Sequence, residues 1–187
     1  YSLLHREMKT ILASIALSLV GHAAEDGLLH QWRLGEAKDG VIPARAGSDA
    51  KFEGGAVAEK TEGLDWLRLD GTDGRAWVTD DFRSTKFPLR AITVETWASP
   101  VKPMKWGGMA GIIQDNGNYE RGWLLGYVER RFSFALASEG HPRLPYMKGT
   151  TEFQDDRWYH VAGTYDAETN ATRLYVNGKL EAEQKVH

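Results

Sequence analysis

Short apolar segments, fenced by turn residues, constrain the fold of this chain more than any other feature of its sequence. From Gly27 onward these segments are rich in β-branched and aromatic residues, and Gly, Asp, Asn or Pro separates them about every ten residues. None of them keeps the 3.6-residue period of an amphipathic helix. We predict strands at 28–34, 51–57, 66–70, 76–79, 91–99, 110–114, 122–129, 131–137, 158–165, 172–177 and 179–185.

The strands alternate in polarity. In the segment 91–99, Ile92 and Val94 fall on one face and Glu95 on the other, which is typical of half-buried strands in antiparallel sheets. Asn177-Gly178 lies between two alternating runs and predicts a tight hairpin, because both turn residues must adopt positive φ. Many short strands with such turns predict an all-β fold, a two-sheet antiparallel β-sandwich or jelly roll.

Composition removes several classes of function. The chain has no cysteine, which excludes disulfides, thiolate metal sites and cysteine nucleophiles. Its 187 residues include 23 basic and 26 acidic ones, a net charge of -3 with no basic run, so nucleic acid is not a predicted partner. The histidines form no H-E-x-x-H motif of a zinc enzyme.

The N-terminal segment has the pattern of a signal peptide. Met8-Lys9 precedes an apolar stretch at 11–20, which is too short to span a membrane, and small residues follow it up to Ala24. We predict a signal-peptide helix, cleavage after Ala23, and export to the periplasm or the cell exterior. The alternative is a short buried helix. Residues 1–23 are then an extension plus signal peptide, and 24–187 are one domain without a membrane span.

Two segments carry a family resemblance. Arg-Trp-Tyr-His-Val-Ala-Gly-Thr-Tyr-Asp at 157–166, followed by Leu-Tyr-Val-Asn-Gly-Lys at 174–179, resembles the laminin-G-like jelly roll of the concanavalin A-like lectin/glucanase superfamily. The order of the earlier segments fits the same resemblance over residues 27–187. It implies a recognition or accessory module that binds carbohydrate or an extracellular protein surface.

The resemblance also implies closing strands that have no counterpart before His187. We therefore expect a C-terminally truncated piece of a longer exported protein, with an incomplete sandwich. In the intact domain a closing strand would cover the edge of the predicted strand 28–34. A spacer role beside a catalytic domain beyond His187 is a further alternative.

Catalytic carboxylates are not predicted. Glucanases of this fold carry Glu-x-Asp-x-x-Glu on one strand, and that motif is missing. Glu95 shares its face with Thr93 and Trp97 rather than with acids, so we expect a polar surface residue bonded to a neighbouring strand. For His160 we expect a structural imidazole that bonds across to a carbonyl or hydroxyl. This region is therefore predicted not to be an enzyme, with a glycoside hydrolase or lyase of the same fold as the alternative.

No cofactor or metal site is predicted for this region. The resemblance implies that an intact domain can bind Ca²⁺ through carboxylates and loop carbonyls. Acidic turn residues that could contribute form no EF-hand loop, and solvated turn acids are the alternative: Asp70, Asp73, Asp80, Asp81 and Asp115.

Three aromatic residues are candidates for ligand binding. Trp106, Tyr119 and Tyr146 are predicted in Gly- or Pro-rich loops, where a ring can serve as a platform for a sugar or an apolar partner surface. Packing over the rim of the sandwich is the alternative. The other six tryptophans are predicted mainly in the cores: Trp32, Trp66, Trp77, Trp97, Trp123 and Trp158.

Overall fold

A computed structural model describes residues 10–13, 27–61, 63–79, 88, 90–137 and 140–186. The chain forms two compact units, residues 1–87 and 88–187. The described residues form antiparallel sheets and one single-turn 3₁₀ helix, which confirms the predicted all-β class. Within that part of the chain, no helix is both long and apolar enough to cross a bilayer.

The first unit contains three small antiparallel arrangements. β7 pairs with β1 and β6, β2 pairs with β4, and β5 pairs with β3 and β8. A single 3₁₀ turn covers Leu34–Glu36. The strands are β1 (Thr10–Ala13), β2 (Gln31–Trp32), β3 (Val41–Ile42), β4 (Ala44–Ala46), β5 (Ala50–Glu53), β6 (Val57–Thr61), β7 (Leu64–Leu69) and β8 (Arg75–Trp77).

Strand β1 falls within the segment predicted as a signal-peptide helix. Thr10–Ala13 pair with β7 on the side not used by β6, with Leu12 opposite Leu67. The rest of the predicted signal peptide lies outside the described residues, so its cleavage stays a prediction.

The second unit is a two-sheet sandwich. We call β16-β15-β14-β9 sheet I and β10-β11-β12-β13 sheet II; within both, all neighbours are antiparallel. Its strands are β9 (Ala91–Pro100), β10 (Trp106–Asp115), β11 (Glu120–Val128), β12 (Arg131–Leu136), β13 (Tyr146–Glu152), β14 (Tyr159–Asp166), β15 (Ala171–Val176) and β16 (Lys179–Lys185).

Phenylalanine rings fill the space between the two sheets. The Phe134 ring of sheet II lies against Gly163 of sheet I, where an added Cβ would come within 2.5 Å of it. Phe132 packs on Phe153 and Tyr159, at ring-centroid distances of 5.0 and 5.3 Å. Phe132, Phe134 and Phe153 are fully buried, so these rings form the centre of the core.

Tryptophan does not form the core, and that prediction was wrong. All seven tryptophans are described and none is fully buried. Trp77 is exposed beneath the guanidinium of Arg75, whose Cζ lies 4.6 Å from the ring centroid. A large ring with a polar N–H is seldom enclosed completely, whereas Phe, Leu and Val carry no group that requires a partner.

The predicted hairpin at Asn177-Gly178 is confirmed. Both residues have positive φ, 50° and 76°, and the turn joins β15 to β16 through the pair Val176 and Lys179. The Asn177 side chain accepts a hydrogen bond from the backbone N–H of His160 at 3.0 Å. The turn therefore also holds the start of β14.

A bulge in β16 links the two sheets. Tyr175 pairs with Leu180 and Leu174 with Ala182, which leaves Glu181 as the extra residue. A bulge re-aims a side chain, and here the Glu181 carboxylate reaches β13. It accepts hydrogen bonds from the N–H groups of Thr150 and Thr151, both at 2.9 Å, and from the Thr151 hydroxyl.

Candidate functional site

The outer face of sheet II has a floor of small residues. Since Leu125 and Tyr127 are buried on the inner side, the alternate residues of β11 face outward. Strand pairing then places Gly126 opposite Ser133, and Leu124 opposite Ala135. Gly126, Ser133 and Ala135 are buried, so larger groups cover them.

Trp106 and Tyr146 meet above this floor. Trp106 begins β10 and Tyr146 begins β13, which are the two edge strands of sheet II. Their ring centroids are 5.1 Å apart with an interplanar angle of 68°, an edge-to-face contact. Three strand spacings separate these edges, about 14 Å in a flat sheet. The two side chains therefore lean toward each other across the strands between them.

Glycines let β10 pack closely against the side chains of β11. A Cβ on Gly107 would lie 2.2 Å from the Tyr127 ring, and one on Gly111 would lie 2.6 Å from the Leu124 side chain. The glycines after Trp106 belong to a strand whose neighbour carries large side chains. The predicted loops were wrong for both residues: the glycines after Trp106 serve close packing rather than a turn, and Tyr146 begins β13 directly after Pro145.

Two carboxylates flank one end of the aromatic pair. Asp115 and Glu120 are opposite residues of β10 and β11 and share the outer face with Tyr146. Burial raises the pKa of the Tyr146 hydroxyl, and the nearby negative charges of Glu120 and Asp115 raise it further. The phenol is therefore held in its neutral, hydrogen-donating form.

One oxygen of the Asp115 carboxylate and one of the Glu120 carboxylate accept a hydrogen bond from a backbone N–H. Asp115 Oδ1 accepts from the N–H of Gly117 at 2.6 Å, and Glu120 Oε2 accepts from the N–H of Leu144 at 2.8 Å. Among the described residues, the structure gives no hydrogen-bond partner to the other oxygens, to the Tyr146 hydroxyl or to the Trp106 indole N–H. We call the surface formed by Trp106, Tyr146, Asp115, Glu120 and the floor the aromatic groove.

Tyr119 lies in the turn between β10 and β11, as predicted. Its ring is 40% exposed and is covered by the guanidinium of Arg121, with 3.9 Å between Cζ and the ring centroid. Arg121 also donates to the carbonyl of His141 at 3.0 Å. The structure therefore brings Trp106 and Tyr146 together and gives Tyr119 a separate contact that ties two loops.

A polar cluster lies on the outer face of sheet I. His160 Nε2 is 3.3 Å from Glu95 Oε2, and the His160 ring packs on Trp97 at a centroid distance of 5.5 Å. The exposed Glu95 thus contacts a neighbouring strand through His160, at ion-pair distance. The partner of His160 is a carboxylate, whereas we expected a carbonyl or hydroxyl for this imidazole.

Among the acidic residues considered for Ca²⁺, Asp70 and Asp115 accept hydrogen bonds from the backbone of their own turns, and Asp73 accepts one from the Gly55 N–H. Asp70 Oδ1 accepts from the N–H groups of Thr72, Asp73 and Gly74, and these bonds hold the pKa of the Asp70 carboxyl below its usual range. Across the described ranges, no three His, Asp or Glu side chains gather as metal ligands. Asp80 and Asp81 lie outside those ranges.

Our sequence reasoning missed two features of the groove: the pairing of Asp115 with Glu120, and the position of Leu124 beside Gly111. The polarity of 120–128 does contain the signal, because Glu120 and Leu124 have the same parity along β11. Contact between Trp106 and Tyr146 has no such signal, since 40 residues separate them in the chain.

The fold and the comparison with known families agree. A laminin G-type family model, described as the concanavalin A-like lectin/glucanases superfamily, matches residues 70–187, which is more than half of the chain. The chain therefore belongs to this superfamily. This membership fits a carbohydrate- or protein-binding module. No curated protein matches the chain significantly.

Proposed function

We propose that this chain is a non-catalytic recognition module of an exported protein and that it binds carbohydrate in the aromatic groove. The observation that carries the proposal is the meeting of Trp106 and Tyr146 over a floor of small residues. Recognition of an extracellular protein surface is the alternative use of the same groove.

The chemistry of the groove suits a sugar. Sugar rings present C–H faces that pack on aromatic rings, and their hydroxyls both donate and accept hydrogen bonds. Trp106 is 48% exposed, so a ring platform is accessible. The indole N–H, the phenol and the carboxylate oxygens supply donors and acceptors beside it. A flat apolar partner would leave these polar groups unpaired, which costs free energy.

Binding of the full chain to a broad glycan panel tests the proposal. We expect Trp106→Ala to weaken binding at least about tenfold, because it removes a ring platform. Trp77→Ala is the matched control, since Trp77 is also exposed but belongs to the first unit. Binding that is equal in both variants, or a panel without any bound glycan, would contradict the proposal.

Export is the second part of the proposal. The apolar stretch at 11–20, preceded by Lys9 and followed by small residues, supports it. N-terminal sequencing of the protein recovered from outside the cytoplasm should begin at Ala24. Recovery of the uncleaved chain in the cytoplasm would count against export.

Glycoside hydrolysis is the second candidate function, because Asp115 and Glu120 face each other across two strands on the groove side. Paired carboxylates about 5 to 9 Å apart can hydrolyse a glycosidic bond. Against this activity, backbone N–H groups donate to both, which suits acceptors better than a proton-donating acid. Reducing-end release from a bound glycan, abolished by Glu120→Gln, would establish hydrolysis in place of simple binding.

A further inference from the structure

We infer that two copies of this chain pair through strand β10, which lies at one edge of sheet II. Among the described residues, β10 forms a ladder with β11 alone. Alternate backbone N–H and C=O groups of an edge strand point away from its own sheet, where another chain can bond to them. The inference concerns assembly and does not depend on the proposed function.

β10 lacks the side chains that usually protect an edge strand. From Trp106 to Gln114 it contains no charged residue and no proline. Natural edge strands are protected by charges, proline or bulges. β10 has one such feature, a bulge at Met109 between Gly108 and Ala110. The segments on both sides of this bulge are therefore open to pairing.

Two other edge strands of the second unit are better protected. β16, at the edge of sheet I, has four charged residues among its seven. β13, at the far edge of sheet II, carries Lys148 and Glu152, and its backbone donates to Glu181. Of these three edges, that of β10 is therefore the most open to another strand.

The bulge keeps the exposed side chains of β10 on one face. Gly108 and Gly111 both pair with outward-facing residues of β11, although they are three positions apart. Trp106 precedes this pair by two positions and Ile113 follows it by two, so both also face outward. These two are the exposed large apolar residues of β10, at 48% and 41%.

An antiparallel pairing centred on Ala110 matches these two side chains. Trp106 of each copy then lies opposite Ile113 of the other, and the glycines at 108 and 111 lie opposite each other. Cross-strand pairs of an aromatic and a β-branched residue stabilise a sheet. The edge of β10 is therefore complementary to itself, which makes a second copy of the chain its partner.

The charges at the ends of β10 agree with this direction of pairing. Lys105 precedes the strand and Asp115 ends it. The antiparallel arrangement brings Lys105 of each copy to the end that carries Asp115 of the other. A parallel arrangement would bring like charges together, which is destabilising.

Other ionic groups near these ends do not change the balance. Glu120 adds a negative charge beside Asp115, and the guanidiniums of Arg121 and Arg143 bond to backbone carbonyls of the adjoining loops. At the other end, the backbone N–H of Glu129 donates to the carbonyl of the lysine, so an acid accompanies the ammonium. Among the described residues, no net charge therefore opposes association.

A two-fold pair of this kind is closed at two copies, because each copy has then used its β10 edge. Pairing of single strands gives an interface below about 1,200 Å², so we expect a dimer that forms with rising concentration rather than a permanent one. The two-fold axis places the outer faces of both sheets II on the same side. The two aromatic grooves then point in the same direction.

Sedimentation velocity of the full chain, at about 1 µM and about 200 µM, tests the assembly over the range of weak association. We expect a shift from monomer to dimer. Ile113→Lys should weaken association at least about tenfold, because it places a charge on the apolar edge. Leu180→Lys is the matched control: it is the same kind of change at an exposed residue of β16, and it should leave the dimer unchanged.

The register is tested by cross-linking, since the chain has no cysteine of its own. Directly opposite residues of an antiparallel pair have Cα atoms about 4.5 to 5.5 Å apart, within the range that a disulfide spans. Mild oxidation should therefore link two copies of Ala110→Cys. Ala182→Cys, in β16, should stay unlinked under the same conditions.

Several results would overturn the inference. One is a monomer at both concentrations, and another is equal association of Ile113→Lys and wild type. Species larger than the dimer would contradict the closed two-fold pair. Hydrogen exchange provides a further test: slow exchange of all β10 amides in the monomer would show that another segment of the same chain covers this edge.

Discussion

Replacing Glu181 with alanine removes the carboxylate that joins the two sheets of the second unit at one edge. The wild-type side chain accepts hydrogen bonds from two backbone N–H groups of β13, those of Thr150 and Thr151. After the substitution these donors face water, since β13 is the edge strand of sheet II. The backbone of the bulge in β16 is unchanged, but its side chain no longer reaches β13.

The expected cost follows from the bonds that are lost. A net contribution of about 1 kcal/mol for each backbone N–H gives about 2 kcal/mol in total. The partial exposure of Glu181 argues against the upper range for charged acceptors. With a urea m-value of about 2 kcal/mol per M, the unfolding midpoint should fall by about 1 M.

Urea unfolding of the full chain, followed by tryptophan fluorescence and far-UV circular dichroism, measures the shift. The control is Glu183→Ala, which lies on the same strand and removes an exposed ion pair with Arg173. This control should shift the midpoint far less, because surface ion pairs contribute little. If both variants shift the midpoint equally, the link between the sheets does not stabilise the unit.

Two other predictions concern the core and the acid response of the second unit. Gly163→Ala should lower stability by about 1 to 3 kcal/mol, because its Cβ would overlap the Phe134 ring; a melting temperature equal to wild type would contradict the packing. The pKa of the Asp155 carboxyl is held below its usual range by the Arg130 hydrogen bond at 2.6 Å and by the Lys102 N–H. Because the folded pKa is the lower one, this stabilisation is present above about pH 4 and lost as pH falls through the folded value. Urea midpoints at pH 7 and pH 3 should therefore differ less in Asp155→Asn than in wild type.

Alternating polarity predicted the fold where local signals and tertiary packing agree. The strand 91–99 and the hairpin at Asn177-Gly178 appear as expected, because apolar alternation and positive φ are properties of short segments. β13 was missed, since Pro145 precedes it and Gly149 interrupts it. Its stability comes from pairing with β12 and from Glu181, and a single segment does not reveal either contact.

The sequence identified single residues of the candidate site but not the contact between them. Aromatic residues in predicted Gly- or Pro-rich loops drew attention to Trp106 and Tyr146, and both lie in the groove. Their contact depends on the order of the four strands of sheet II, which places β10 and β13 at opposite edges. Tyr119 has the same local signals, yet its ring is covered by Arg121. Local sequence does not distinguish these two outcomes.

Strand β12 serves two purposes on alternate residues. Phe132 and Phe134 point into the core, whereas Ser133 and Ala135 lie beneath the groove. Substitutions at Ser133 and Ala135 would therefore change the support beneath the outer-face side chains while the phenylalanine layer stays the same. Because both positions are buried, larger residues there should cost about 1 to 3 kcal/mol of stability.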